Sequence, residues 1–358
     1  MSGSRALKKR IAIVLTIVLS ITVNMSFSGC SSVDTKQNVD NAGEIISENV
    51  DELTIIDQSG REVTVKKDCK SIALCYRVVI RFLLNLGQGD KIKGMGKSED
   101  FLEELQPSLK ECADVGKGVA DIEALAELNP DLFIHKASDT ETLEAVEKIG
   151  IPSIGIEVET PEDMLVALDV LGKVCNAQDK AKDLIDYYQA EIENVESMAA
   201  SIEEKDRKTA IVMGTSIGKV ADGSMLQGMM LEKAGAINCA SDLKVTELWP
   251  TAGTEQIFEW NPDYIFITGS ESAVYTVEDI YKESSWSELR AVKDKHVFLI
   301  PSSYDSWEFP GIVSVLGINY MMKTMYPDLI SDNDMENKVN EFYKKAYGQT
   351  FSKEKLGY

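Results

Sequence analysis

Residues 121–134 read Asp-Ile-Glu-Ala-Leu-Ala-Glu-Leu-Asn-Pro-Asp-Leu-Phe-Ile, and residues 254–267 read Thr-Glu-Gln-Ile-Phe-Glu-Trp-Asn-Pro-Asp-Tyr-Ile-Phe-Ile. A shift of 132 positions lays Glu123 on Glu255, Glu127 on Glu259, and Asn129-Pro130-Asp131 on Asn261-Pro262-Asp263. Each copy reads as a short amphipathic helix that stops at Asn-Pro, because proline lacks an N–H and pushes the residue before it out of the α region. Aspartate then turns the chain into a short apolar run, Leu132–Ile134 or Tyr264–Ile267, of the kind buried inside a parallel sheet. Solenoid repeats recur every 20 to 50 residues or so, far less than the separation here. The two copies therefore imply two similar α/β lobes.

The chain has 358 residues, which suggests about two domains, and a formal charge of -22. The first 29 residues carry Arg5, Lys8, Lys9 and Arg10 and no acid, so their removal leaves the remainder more acidic still. Nucleic acid is not an expected partner, since phosphate-backbone affinity needs a cationic face. Basic Arg5–Arg10 followed by an apolar run, Ile11–Val23, has the form of a signal peptide, the apolar run being short for a membrane span. It ends in Phe27-Ser28-Gly29-Cys30, which resembles a bacterial lipobox with phenylalanine where leucine is usual; an ordinary signal peptide or anchor helix is the alternative. Cys30 is thus the expected lipidation site, followed by a polar tether to residue 50. The other cysteines, at 69, 75, 112, 175 and 239, show no metal-binding spacing and read mostly as small buried apolar groups.

Along the chain, residues 53–65 alternate around Gln58-Ser59-Gly60 as a hairpin, and Ser71–Leu74 and Lys91–Met95 are short strands. Neither Gly96-Lys97-Ser98 nor Gly214–Lys219 completes a phosphate-binding loop. From Pro161 the pattern is helical, and Gln178–Glu204 carries an apolar stripe that predicts one stiff connector about 40 Å long. The expected division is 51–160 for the first lobe, 161–206 for linking helices and 207–358 for the second lobe. Open α/β sheets bind ligands beyond the carboxyl ends of their strands. That rule selects Tyr76, Arg77, His135 and Lys136 in the first lobe. In the second, the aromatic-rich loop Ser302–Pro310, with Tyr304, Trp307 and Phe309, reads as a pocket wall or as core. For each, packing or solvation is the competing role. Two distant histidines and no paired cysteines do not make a closed metal site, and no cofactor is expected.

Two α/β lobes on one long helix, behind a lipobox, resemble the helical-backbone substrate-binding proteins of ABC transporters, the family of ferric-siderophore and cobalamin binders. The phrases that carry the resemblance are Asp57–Val63, Asp114-Val115-Gly116, the two Glu-to-Asn-Pro-Asp units, Ala291-Val292-Lys293 before a strand, and Trp307–Pro310 leading to Leu316-Gly317. The resemblance implies a lipid-anchored extracytoplasmic protein that is not an enzyme. It also implies a ligand cleft between the lobes, lined by Tyr76, Arg77, His135 and Lys136 on one side and Thr215, Trp249, Tyr304 and Trp307 on the other, and Glu123 and Glu255 docking into arginine-lined pockets of a permease dimer. The expected cargo is a bulky, partly anionic metal chelate, first a ferric siderophore, then a corrinoid or haem, with molybdate-like oxyanions as a further option. A chelatase-like enzyme on the same fold and a surface adhesin are the competing classes.

Overall fold

The structure is a computed structural model that describes residues 41–67, 69–98, 100–243, 249–269 and 274–358. The leader and Cys30 lie outside the described residues. A three-stranded antiparallel sheet comes first, made of β1 (Ile45–Glu48), β2 (Glu52–Ile56) and β3 (Glu62–Lys66). β1 falls inside the stretch read as tether; it fills the open edge of β2 and is held there by Lys67, which bonds Glu48 at 2.5 Å. The hairpin turn is fixed by Asp57, whose carboxylate accepts bonds from Ser59, Arg61 and the Gly155 N–H.

Two parallel four-stranded sheets follow. The first contains β4 (Ile72–Leu74), β5 (Ile92–Gly94), β6 (Leu132–Lys136) and β7 (Ser153–Ile156), in the order β5-β4-β6-β7. The second contains β8 (Thr209–Met213), β9 (Ile237–Asn238), β10 (Tyr264–Ile267) and β11 (Val297–Leu299), in the order β11-β10-β8-β9. Counted within each sheet, both orders are 2-1-3-4. The sequence repeat is thus a repeat of topology, and β6 and β10 occupy the same place in their sheets.

Alternation decides what each strand faces, since successive side chains leave a strand on opposite sides. Ile72, Leu74, Leu132 and Ile134 of the first sheet, with Ala210, Val212, Tyr264 and Phe266 of the second, enter one shared apolar interior. Ala73 and Phe133, and likewise Ile211, Met213, Ile265 and Ile267, face two smaller clusters under the outer helices. The shared interior is filled by the helices Pro161–Val174, Gln178–Ala200, Ser314–Met325 and Asp332–Tyr347. Gln178–Ala200 has 23 residues, four fewer than expected, and so spans about 35 Å. Its stripe of Ala181, Leu184, Tyr188 and Val195 is buried. The C-terminal segment from Tyr347 onward also reaches back to the first lobe, where Phe101 meets Tyr347 and Phe351, and Lys355 of the short helix Lys353–Leu356 bonds Glu104 at 2.5 Å.

The two Asn-Pro-Asp units do the same structural work. Asn129 (φ 47) and Asn261 (φ 42) end their helices in the left-handed region, which asparagine tolerates better than most residues. The Asp131 carboxylate then accepts bonds from the N–H groups of Lys70 and Ser71 and from the Ser71 hydroxyl at 3.0–3.1 Å. Asp263 does likewise with the N–H and hydroxyl of Thr209, at 2.9 and 3.0 Å. Lys66 pairs with Asp131 and Arg290 with Asp263. Burial opposes ionisation of Asp131, but the bonds from Lys70, Lys66 and Ser71 outweigh it and hold the carboxyl down at about 2. Its stabilising contribution is therefore full above the unfolded carboxyl value of about 3.9 and is lost as pH falls toward 2. We expect Asp131→Ala and Asp263→Ala each to lower unfolding free energy by about 1–3 kcal/mol at neutral pH. For Asp131→Ala the difference from wild type should shrink between pH 4 and pH 2. Denaturant titration checks both, and a deficit that is unchanged at pH 2 would refute the electrostatic origin.

Candidate functional site

In an open sheet ordered 2-1-3-4, the connections after strands 1 and 3 depart in opposite directions and leave a crevice between their carboxyl ends. In the second lobe those ends are Gly214-Thr215 after β8 and Thr268-Gly269 after β10. A cavity of about 450 Å³ opens there, lined by Thr215 and Thr268 and by Ser224–Gln227 before and within the helix Leu226–Lys233. Trp249, Glu308, Phe309 and Pro310 line it further, and Glu159 borders it from the loop after β7 of the first lobe. The cavity therefore lies between the lobes.

Trp249 is held tightly. Its backbone sits at φ 58, unusual for a bulky residue and costing on the order of 1 kcal/mol or more, a kind of strain that gathers at functional sites. The ring lies against Gly214, where a Cβ would come within 2.5 Å of the indole, so glycine is required there by contact rather than by backbone angle. The Tyr275 hydroxyl fixes the carbonyl of the same glycine at 2.9 Å.

From the first lobe, Lys136 bonds Glu159 at 2.7 Å and lies over the Tyr76 ring at 5.9 Å from its centroid. Burial would lower the Lys136 pKa, but the bond to Glu159 and the field of Glu157 raise it, so the ammonium stays charged and neutralises the cavity edge. Burial, followed by the nearby Glu157, Glu159 and Asp163, raises the Tyr76 phenol. Of the predicted ligand residues, Thr215 and Trp249 line the cavity directly, Lys136 adjoins it through Glu159, and Tyr76 lies beneath Lys136. Arg77 is half-buried at the start of the helix Val78–Asn85 and is not among the lining residues.

Three expected ligand residues face elsewhere. His135 shares the strand face of Phe133, so it points into the small outer cluster, where it is 2% exposed, stacks on Phe133 and bonds Asp139 at 2.9 Å. Trp307 is fully buried and donates its indole N–H to the Tyr343 hydroxyl at 2.9 Å. Tyr304 packs edge-on to Phe101 and Phe351 beneath Lys355. Glu159, Glu308 and Phe309 were not singled out from the sequence. Glu308 and Phe309 lie within the Trp307–Pro310 phrase without a role assigned there, and Glu159 lies in no motif.

Glu123 and Glu255 are each the second residue of the helix that precedes β6 and β10, and both are exposed. A helix in a parallel crossover runs opposite to its strands, so its amino end stands at the edge where the strands finish. Both acids are therefore at the edges of their sheets that border the crevice. The cysteines at 69, 75, 112, 175 and 239 are free, and burial pushes the Cys75 and Cys175 thiols up to about 12. Among the described residues, no three His, Cys, Asp or Glu side chains gather as a metal site.

Residues 72–304 match the family model described as periplasmic binding protein. The molybdate-binding protein MolA of Haemophilus influenzae is 24% identical over 87% of this chain and 92% of its own length. The petrobactin-binding protein YclQ of Bacillus subtilis is 25% identical over 84% of this chain and 92% of its own. Among solved structures, a periplasmic solute binding protein from Veillonella parvula superposes with a TM-score of 0.75 at 23% identity, covering 85% of this chain and 95% of that one.

Proposed function

The chain belongs to the periplasmic binding protein family and is an extracytoplasmic substrate-binding protein of an ABC transporter, and we propose that its cargo is a metal chelate, a ferric siderophore. The observation that carries this reading is the cavity between the lobes. Its volume suits an organic ligand, and its wall combines the faces of Trp249 and Phe309 with hydroxyl and amide groups. Among the described residues no basic side chain lines it, and of its two carboxylates Glu159 is paired with Lys136. That wall favours a chelate with little net negative charge over the partly anionic one expected at first. Petrobactin binding by YclQ supports the same class. A molybdate-like oxyanion is the second reading because MolA aligns along nearly the whole chain, but a small anion needs several charge-assisted donors and would leave most of the cavity unused.

Titration of tryptophan emission with ferric hydroxamate and catecholate siderophores, cobalamin, haem and molybdate tests the cargo. We expect saturable quenching by a ferric siderophore, with most of it lost and affinity down about tenfold in Trp249→Ala. Quenching by molybdate alone would overturn the assignment.

We also propose that Glu123 and Glu255 dock the protein onto a two-fold permease, because two carboxylates held at matched sites can engage two matching arginine pockets. Reversing both charges, Glu123→Lys with Glu255→Lys, is expected to cut cargo uptake at least severalfold while leaving the dissociation constant unaltered. Undiminished uptake would remove these residues from the docking surface. The proposed anchor is diacylated Cys30. Cys30→Ala should move the protein from the membrane to the soluble fraction, and retention on the membrane would point to a different anchor.

A further inference from the structure

Glu308 is 5% exposed yet lines the cavity. Its Oε1 accepts a bond from the Gly269 N–H at 3.1 Å, and its Oε2 lies 2.9 Å from the Ser302 hydroxyl. That hydroxyl also lies 2.6 Å from the carbonyl oxygen of Ile300. Ser302 owns one hydroxyl proton and cannot give it to both acceptors. Both contacts are full two-centre bonds only if Ser302 donates to Ile300 and Glu308 donates its own proton from Oε2 to Ser302; otherwise the one hydrogen is shared.

The surroundings agree. Asp305, on the same loop, is committed to Arg81 at 3.2 Å, and Glu159 across the cavity is committed to Lys136. From the helix Leu226–Lys233, the Gln227 amide bonds the backbone carbonyl of Glu308 and not its carboxyl. Burial pushes the carboxyl up to about 7, even when its own backbone N–H, the Ser302 hydroxyl and the Gly269 N–H are all counted as donors to the ionised form, and Asp305 pushes it further up.

We propose that Glu308 stands in the cavity wall as an un-ionised acid and is a specificity-determining residue, whose deprotonation weakens the hold on cargo. This rests on the reading that the cavity holds a chelate. Loss of the proton leaves Ser302 with two acceptors for one hydrogen and adds an uncompensated negative charge beside electron-rich chelating oxygens. Only the protonated fraction then binds well, so apparent affinity follows that fraction.

The first arm of the test needs no cargo and no variant. The infrared carbonyl band of a protonated carboxyl should be present in wild type at pH 6, vanish by pH 8.5, and be missing from Glu308→Gln at both. The amide can keep the Gly269 bond through its oxygen and donate to Ser302 through its nitrogen, so the fold should survive. The second arm uses the ferric complex of a linear trihydroxamate. Its dissociation constant should rise on the order of tenfold from pH 6 to pH 8.5 in wild type and stay flat in Glu308→Gln. Absence of the band at pH 6, or a wild-type profile as flat as that of the variant, overturns the inference. A protein that shows the band but binds no chelate loses the cargo reading and the link to affinity with it, while the neutral acid stands.

Discussion

Each sheet is pinned by an aspartate that directly follows a proline. The carboxylates of Asp131 and Asp263 reach sideways to the start of the neighbouring strand, to Ser71 just before β4 and to Thr209 at the head of β8, and satisfy backbone N–H groups that would otherwise lack partners at the sheet's lower edge. That bond fixes where β6 starts relative to β4, and β10 relative to β8. Register in a parallel pair then carries through: Leu74 lies opposite Ile134, and Met213 opposite Ile267. The strand ends that bound the crevice are level because the strand starts are tied.

The same geometry explains which residues were legible in the sequence. The repeat exposed the two lobes because its constraint is local; a helix stop at Asn-Pro and a buried strand after aspartate are written in consecutive residues. Placement at a strand's end puts Thr215 in the cavity wall and Lys136 at its edge. It failed for His135 because the edge of a sheet has two faces, and counting from Phe133 puts His135 on the outer one. Trp307 and Tyr304 were misplaced for a related reason. An aromatic-rich loop after a strand can serve as cavity wall or as interior, and only the arrival of Tyr343 and Phe351 from the end of the chain decides it. The roles of Glu159 and Glu308 were not legible, since they depend on Lys136, Ser302 and Gly269, which come into hydrogen-bonding place only in the folded chain.

The cavity wall itself is braced from the opposite lobe. Arg81, 2% exposed on the helix Val78–Asn85, pairs with fully buried Asp305, and its guanidinium lies 4.6 Å from the centroid of the Phe309 ring. Tyr343 completes the set by donating to the other oxygen of Asp305 at 3.0 Å. Breaking one partner of such a pair leaves a buried charge unmatched, a cost of about 3–5 kcal/mol. The loop that presents Glu308 and Phe309 is therefore tied to both halves of the molecule, in keeping with a cleft that admits cargo without large rotation of the lobes.

The helix Asp332–Tyr347 buries Val339, Phe342, Tyr343 and Ala346 in an interior that both sheets share. The amino-terminal half thus has no finished core of its own until the final segment arrives. A polypeptide that crosses a membrane from its amino end is, on this account, incomplete for the whole of its passage and gains its last packing partners only when its tail emerges. Threading and maturation are thereby separated in time by the order of the residues alone.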